Sequence, residues 1–317
     1  MSLAERVLAG ETVAVARAMS WIENDHPEKE SLTDALSLHC GRALVLGITG
    51  PPGSGKSSLV DRLIWRERAQ GRRVGVIAVD PSSPFSGGAI LGDRLRMQNH
   101  ATDSGVFIRS MASRGHLGGV AGATADAIKV LDAAGFDRVL VETMGVGQSE
   151  IEVMELADIV VLVLVPGLGD EIQALKAGIM EIGDIFVVNK SDKPEAAKVR
   201  AQVEYVLGLA QERAQSPRPI VMTSALNNEG IDELVAALEI YHATLVANGA
   251  LAQRRRERIA RELQRLVAAK VQEKANAVLD LEGRLQDWVQ CVAERRCGPY
   301  TLVREGLQQF WQEHRRP

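Results

Sequence analysis

The most constraining feature of this chain is an apolar run that ends in a glycine-rich turn and restarts as a helix. Leu44-Val45-Leu46-Gly47-Ile48-Thr49 reads as a buried strand, and Gly50-Pro51-Pro52-Gly53-Ser54-Gly55-Lys56-Ser57 follows it. Ser58 to Ile64 then continue as a helical run. This is G-x-x-x-x-G-K-[ST] in the strand–loop–helix setting that a phosphate-binding loop requires. Gly50, Gly53 and Gly55 allow backbone conformations and close approaches that a Cβ would obstruct. The loop N–H groups and the helix N-terminus can then point at anionic oxygens. Lys56 is expected to reach the β- and γ-phosphates, and Ser57 to bind Mg2+. The nucleotide phosphates are expected along the whole stretch from Gly50 to Ser58.

The rest of the chain has a matching rhythm. Short apolar runs at 43–49, 74–79, 106–110, 138–142, 159–165, 185–189 and 219–224 are strand candidates, with helical stretches such as 57–69, 119–134 and 231–243 between or beyond them. Near-continuous apolar strands imply burial on both faces, hence a mainly parallel sheet covered by helices. The expected fold is therefore α/β, a P-loop NTPase with a mainly parallel central sheet, plus N- and C-terminal helical extensions. Residues 1–40 are expected to form the first extension and 41–247 the nucleotide-binding domain. Residues 248–317 are expected to form a helical arm able to pack on its own domain or on another subunit.

Composition excludes some functions. With 37 Lys plus Arg against 41 Asp plus Glu, the net charge of -4 gives no general attraction to nucleic acid or to an anionic membrane. The one basic run, Arg254-Arg255-Arg256, reads as a solvated helix face. Cys40, Cys291 and Cys297 have no metal-ligand spacing and no pair expected to lie close, so a reducing cytoplasm is the simplest setting. The first ten residues do not read as a signal peptide, and the apolar run 159–165 is too short to span a bilayer.

The phosphate loop alone does not choose between ATP and GTP. Asn189-Lys190-Ser191-Asp192, directly after an apolar strand, resembles the N-K-x-D guanine-specificity motif of GTPases. A carboxylate at Asp192 can accept both hydrogens of the guanine N1–H and exocyclic amine, a pair of donors that adenine lacks. Asn189 and the Lys190 stem would hold the ring. Thr223-Ser224-Ala225 follows another strand and resembles the last guanine-contacting loop, placing Ser224, Ala225 and Leu226 at the base. On the metal side, Asp80 and Glu142 end strands and are expected as direct or water-mediated ligands of Mg2+. Asp93 joins them as a further carboxylate, its alternative being a cap or turn. Glu142 to Gln148 sits where Ras-like GTPases carry D-x-x-G, so Gly145 could sense the γ-phosphate and Gln148 could orient water. Arg94, Arg96 and Arg114 are candidate arginine fingers; each also reads as an ordinary ion-pairing residue.

Further segments sharpen this. They are Val79-Asp80-Pro81-Ser82-Ser83, the run from Gly87 to Met97, Leu117 to Ala121, Val141 to Glu150, Pro166 to Gln173 and Lys176 to Glu181. In this order they resemble the MeaB/ArgK/MMAA family, G-protein chaperones of methylmalonyl-CoA mutase, strongly over Gly41 to Leu238. The resemblance implies Mg2+-dependent GTP hydrolysis that gates adenosylcobalamin delivery to a cobalamin-dependent acyl-CoA mutase and protects that mutase. It further implies a cobalamin adenosyltransferase as a second partner and a homodimer built partly by the C-terminal arm. By carry-over, Lys56 and Ser57 serve the phosphates and Mg2+, Asp80, Asp93 and Glu142 belong to the metal and catalytic environment, and 166–176 to a switch that relays nucleotide state. With Gln148 from its place after Gly145, the catalytic candidates are Lys56, Asp93, Glu142 and Gln148. An ATP-dependent kinase and a metal-insertion GTPase are the alternatives. The second would need His or Cys clusters, and the six His are scattered.

Overall fold

The computed structural model describes residues 1–80, 100, 102–112, 119–143, 145, 148–167, 179–210, 218–281 and 283–313. Each expected apolar run forms a strand. In chain order these are β1 (Leu44–Thr49), β2 (Val74–Asp80), β3 (Val106–Ala112), β4 (Arg138–Thr143), β5 (Ile159–Leu164), β6 (Ile185–Val188) and β7 (Ile220–Met222). They form one seven-stranded sheet in the order β3-β2-β4-β1-β5-β6-β7, with every neighbouring pair parallel. All residues of β1, β4, β5 and β6 are buried, which is why their sequences lack polar alternation.

Helices α1 (Leu3–Leu8), α2 (Thr12–Glu23) and α3 (Lys29–Ser37) precede the sheet. Helices α4 (Lys56–Ala69), α5 (Gly119–Ala133), α6 (Gln148–Met154), α7 (Ile179–Ile182), α8 (Ala196–Ala210) and α9 (Ile231–Ala247) follow individual strands. Helices α10 (Ala250–Leu281), α11 (Arg284–Ala293) and α12 (Pro299–Glu313) close the chain. Among the described residues, no single helix is long and apolar enough to cross a membrane.

The pleat divides β1 between two cores. Leu44, Leu46 and Ile48 face one way, into a cluster with Leu59 and Leu63 of α4 and Leu234 and Leu238 of α9. Val45 faces the other way, into a cluster with Leu131 of α5, Met154 of α6 and Met19 and Ile22 of α2. The N-terminal helices thus share a core with the sheet; Val7, Val15, Met19 and Ile22 are at most 1% exposed. Their first turn is fixed locally by a capping box, in which the Ser2 hydroxyl accepts from the Glu5 N–H and the Glu5 carboxylate accepts from the Ser2 N–H.

The chain divides into two compact units, Met1–Arg258 and Ile259–Pro317. In the first, the reading of Arg254-Arg255-Arg256 as a solvated face is corrected for two of its three residues. Arg254 pairs with Asp184 at 2.8 Å and Arg255 with Asp158 at 2.6 Å, while Arg256 is exposed. Asp158 and Asp184 stand immediately before β5 and β6, where each carboxylate also accepts a backbone N–H, from Val45 and Val160 respectively. A carboxylate taken out of water needs partners of this kind. Charge-run reasoning missed them because the aspartates lie 70 and 97 residues away in sequence.

In the second unit, Ile259, Leu263, Leu266, Val267 and Val271 are exposed on α10. Trp288 of α11 packs against Gly306 of α12. Here the expectation of no close cysteine pair is also corrected. Cys291 and Cys297 are joined by a disulfide, with a Cα–Cα separation of 5.7 Å, because the turn after α11 brings residue 297 back to the helix end.

Candidate nucleotide-binding site

The loop between β1 and α4 is shaped by positions that reject side chains. Gly50 has φ +150, and a Cβ there would sit 2.2 Å from the Val163 carbonyl oxygen. Gly55 has φ +86, and its Cβ would sit 2.4 Å from Asn189 Nδ2. Between them Ser54 is fully buried and its N–H donates to the Pro51 carbonyl, while Pro52, Gly53 and Ser58 stay exposed on the rim. Lys56 is buried, and its ammonium donates to the carbonyls of Gly50 at 2.8 Å and Pro51 at 3.0 Å. The cation is thereby held across the mouth of the loop.

Glu142 reaches the loop because β4 lies beside β1, with Ile48 opposite Glu142 in the register. The Ser57 hydroxyl donates to Glu142 Oε1 at 2.7 Å. Next to this pair, the Thr143 hydroxyl donates to Thr49 Oγ1 at 3.0 Å, and the Thr49 hydroxyl donates to the Gly145 carbonyl at 3.1 Å. Thr49 and Thr143 were not expected from sequence, yet they fix the backbone at Gly145.

Two hard oxygen ligands, side by side at the phosphate loop, suit Mg2+, which takes few protein ligands and completes its shell with phosphate and water. Among the described residues there is no cluster of three or more metal-ligating side chains. Asp80 ends β2 as expected, but its side chain lies outside the described residues. So do the Gln148 side chain and all of Asp93, Arg94, Arg96 and Arg114, and most of the 166–176 segment.

The base-side residues arrive from β6 and β7. Asn189 Nδ2 donates to the Ser54 carbonyl at 2.9 Å, and its Oδ1 accepts from the Thr223 hydroxyl and the Ala225 N–H. Lys190 holds a left-handed conformation, φ +59, and its ammonium donates to the Gly53 carbonyl at 2.7 Å. A non-glycine residue at positive φ costs energy that surrounding contacts must offset, as this bond does. The Ser224 hydroxyl donates to Asp192 Oδ1 at 2.7 Å, holding the Asp192 carboxyl below the usual carboxylate range. A cleft of about 500 Å3 opens here, lined by Gly55, Ser58, Asn189, Asp192, Ala225 and Leu226, all expected from the sequence. Asp61, Arg62 and Lys193 line it as well and were not expected. A signal was available for two of them, since Ser58, Asp61 and Arg62 recur at i, i+3 and i+4 on one helix face.

The family model for the methylmalonyl Co-A mutase-associated GTPase MeaB matches residues 15–280. The chain belongs to the MeaB family of GTPases. A Pyrococcus abyssi protein provisionally named a GTPase is 46% identical over 304 residues, covering 95% of this chain and 94% of that protein. GTPase ArgK of Escherichia coli K12 is 36% identical over 315 residues, covering 97% of this chain and 95% of that one. A solved structure described as LAO/AO transport system kinase matches with a TM-score of 0.70 at 29% identity, covering 98% of this chain and 96% of the other. As a member of the MeaB family the chain binds GTP and GDP and hydrolyses GTP. The expected fold and family resemblance are both met.

Proposed function

We propose that this MeaB-family GTPase is the chaperone of a cobalamin-dependent acyl-CoA mutase, methylmalonyl-CoA mutase or a close relative. Its nucleotide state gates the loading of adenosylcobalamin from an adenosyltransferase and protects the mutase from inactivation. The observation carrying this reading is the match of residues 15–280 to a family described as associated with methylmalonyl-CoA mutase. Dimerisation through residues 248–317 belongs to the same proposal; the exposed apolar row on α10 supports it.

In the proposed reaction, water attacks the γ-phosphate in line and GDP leaves. Lys56 and the loop N–H groups offset the charge that gathers on the phosphate oxygens. Ser57 and Glu142 would hold Mg2+, with Asp80 and Asp93 completing its surroundings; the bound ion supplies further positive charge to the phosphates. Gly145 offers its N–H to the γ-phosphate and Gln148 orients the water. Asp192 accepts the paired guanine donors. Asn189 and Lys190 tie base recognition to the phosphate loop through Ser54 and Gly53. Hydrolysis is slow in isolation and rises about 10- to 10³-fold when the mutase orders the switch segments.

The deciding experiment is GTP turnover measured with and without purified acyl-CoA mutases. Stimulation by one of them is expected. Turnover at background with and without every mutase tried sinks the proposal. The description of the similar solved structure favours a second reading, phosphate transfer to an acceptor. Radiolabel passing from the γ-phosphate to a protein or small molecule, rather than to water, would select it.

A further inference from the structure

We infer that Arg62 is a positioning residue for base selection, fastening the base-contacting loop to the helix that starts at the phosphate loop. The side chain is half-buried in the wall of the cleft, and its Nε donates to the Ala225 carbonyl at 3.0 Å. Ala225 is thereby held at both ends, since its N–H donates to Asn189 Oδ1 at 3.1 Å. The turn that carries it is closed on itself by a reciprocal backbone pair between Ser224 and Glu229. One turn further along α4, Arg66 pairs with Asp232 in the first turn of α9 at 2.9 Å. Asp232 is 74% exposed, so solvent screens this outer pair. Arg62 is the inner fastening, in the cleft wall itself.

The consequence is geometric. A trans peptide fixes the N–H of Leu226 opposite the carbonyl of Ala225. Holding that carbonyl against α4 therefore sets the plane of the Ala225–Leu226 peptide on the cleft wall. The same helix begins with Lys56 and Ser57, so one rigid rod of about 9 Å between Lys56 and Arg62 fixes the distance from phosphate loop to base loop. The chemistry recognised is a purine bearing a carbonyl at its six position, which accepts from the Leu226 N–H. Arg62 acts through this peptide, keeping its N–H aimed at the carbonyl.

This inference rests on the guanine reading of Asp192, and its test separates the two. Binding of GDP is compared with binding of 6-thioguanosine diphosphate, which keeps the N1–H and the exocyclic amine that face Asp192 and puts the weaker acceptor sulfur in place of the carbonyl oxygen. In the parent protein, exchanging the carbonyl oxygen for sulfur weakens binding, and because both donors to Asp192 are kept the ratio of the two affinities measures the loop contact. In Arg62→Ala, GDP binding falls about 10-fold, the range for a hydrogen bond from a charged donor. The affinity ratio also shrinks at least threefold. Arg62→Lys, which keeps a charged donor, is intermediate and serves as the test variant if Arg62→Ala does not fold. A ratio that shrinks less than threefold overturns the inference, whatever happens to the absolute affinity. Asp192→Asn is run in parallel. If it leaves the preference for GDP over xanthosine diphosphate intact, the guanine reading fails and the inference fails with it. If that preference shifts but the carbonyl ratio does not, only the role of Arg62 is lost.

Discussion

Ser57 and Glu142, 85 positions apart, share a hydrogen bond of 2.7 Å at the junction of β1, β4 and α4. Neither residue is near the other in sequence. They meet because two parallel strands end at the same height and a helix starts between them.

Glu142→Gln keeps the size of the side chain and removes its charge. The affinity for Mg2+ of the GDP-loaded protein should fall about 10- to 100-fold, the range for disrupting a metal's supporting ligands. Calorimetric titration of Mg2+ checks this, and a change under twofold would remove Glu142 from the metal site.

Gly55→Ala should fail for two separable reasons. The backbone at φ +86 resists a side chain, and the new Cβ meets Asn189 Nδ2 at 2.4 Å. The first costs about 1–3 kcal/mol. The second should disappear in an Asn189→Ala background. Thermal melts of the four proteins in the cycle should therefore be non-additive, with Gly55→Ala less harmful when Asn189 is already gone. Additive effects would contradict the contact.

Asp192→Asn should move base preference from guanine toward xanthine, because an amide donates where the carboxylate only accepts. The Asp192 carboxyl is depressed below 3.8, first by the Ser224 hydroxyl and next by its own backbone N–H, with Lys193 and Lys190 adding to it. A depressed carboxylate contributes above its unfolded pKa and loses that contribution as pH falls through its folded pKa. Ser224→Ala should raise this pKa toward 3.8, so the anionic form is lost at a higher pH. Carbon NMR of the Asp192 carboxyl during acid titration reads the shift directly; an unmoved midpoint would remove Ser224 as its cause.

Asp158→Ala should destabilise the fold by about 3–5 kcal/mol, since it leaves buried donors without their acceptor. Asp158 is fully buried and serves Arg255, Arg258 and the Val45 N–H. Urea unfolding gives the number. A loss below 1 kcal/mol would mean that water replaces the carboxylate at little cost.

The phosphate loop, the seven strands and the order of the guanine motif were legible in sequence because each is a local pattern. A glycine at a forbidden φ, a lysine after it and a strand buried on both faces are all written within a few adjacent residues. Asn189 and Asp192 could be recognised for the same reason. What they touch could not.

Tertiary structure alone decided that Asn189 braces Ser54 and that Arg62 reaches Ala225, 163 positions on. It likewise turned Arg254 and Arg255 from a solvated run into partners of two buried aspartates. An arginine's identity does not say whether it will find water or a carboxylate. That outcome depends on which distant residues the sheet carries out of solvent, and only folding places them. The sequence determined a GTPase of recognisable family; the fold decided which of its charges are spent on structure and which face the cleft.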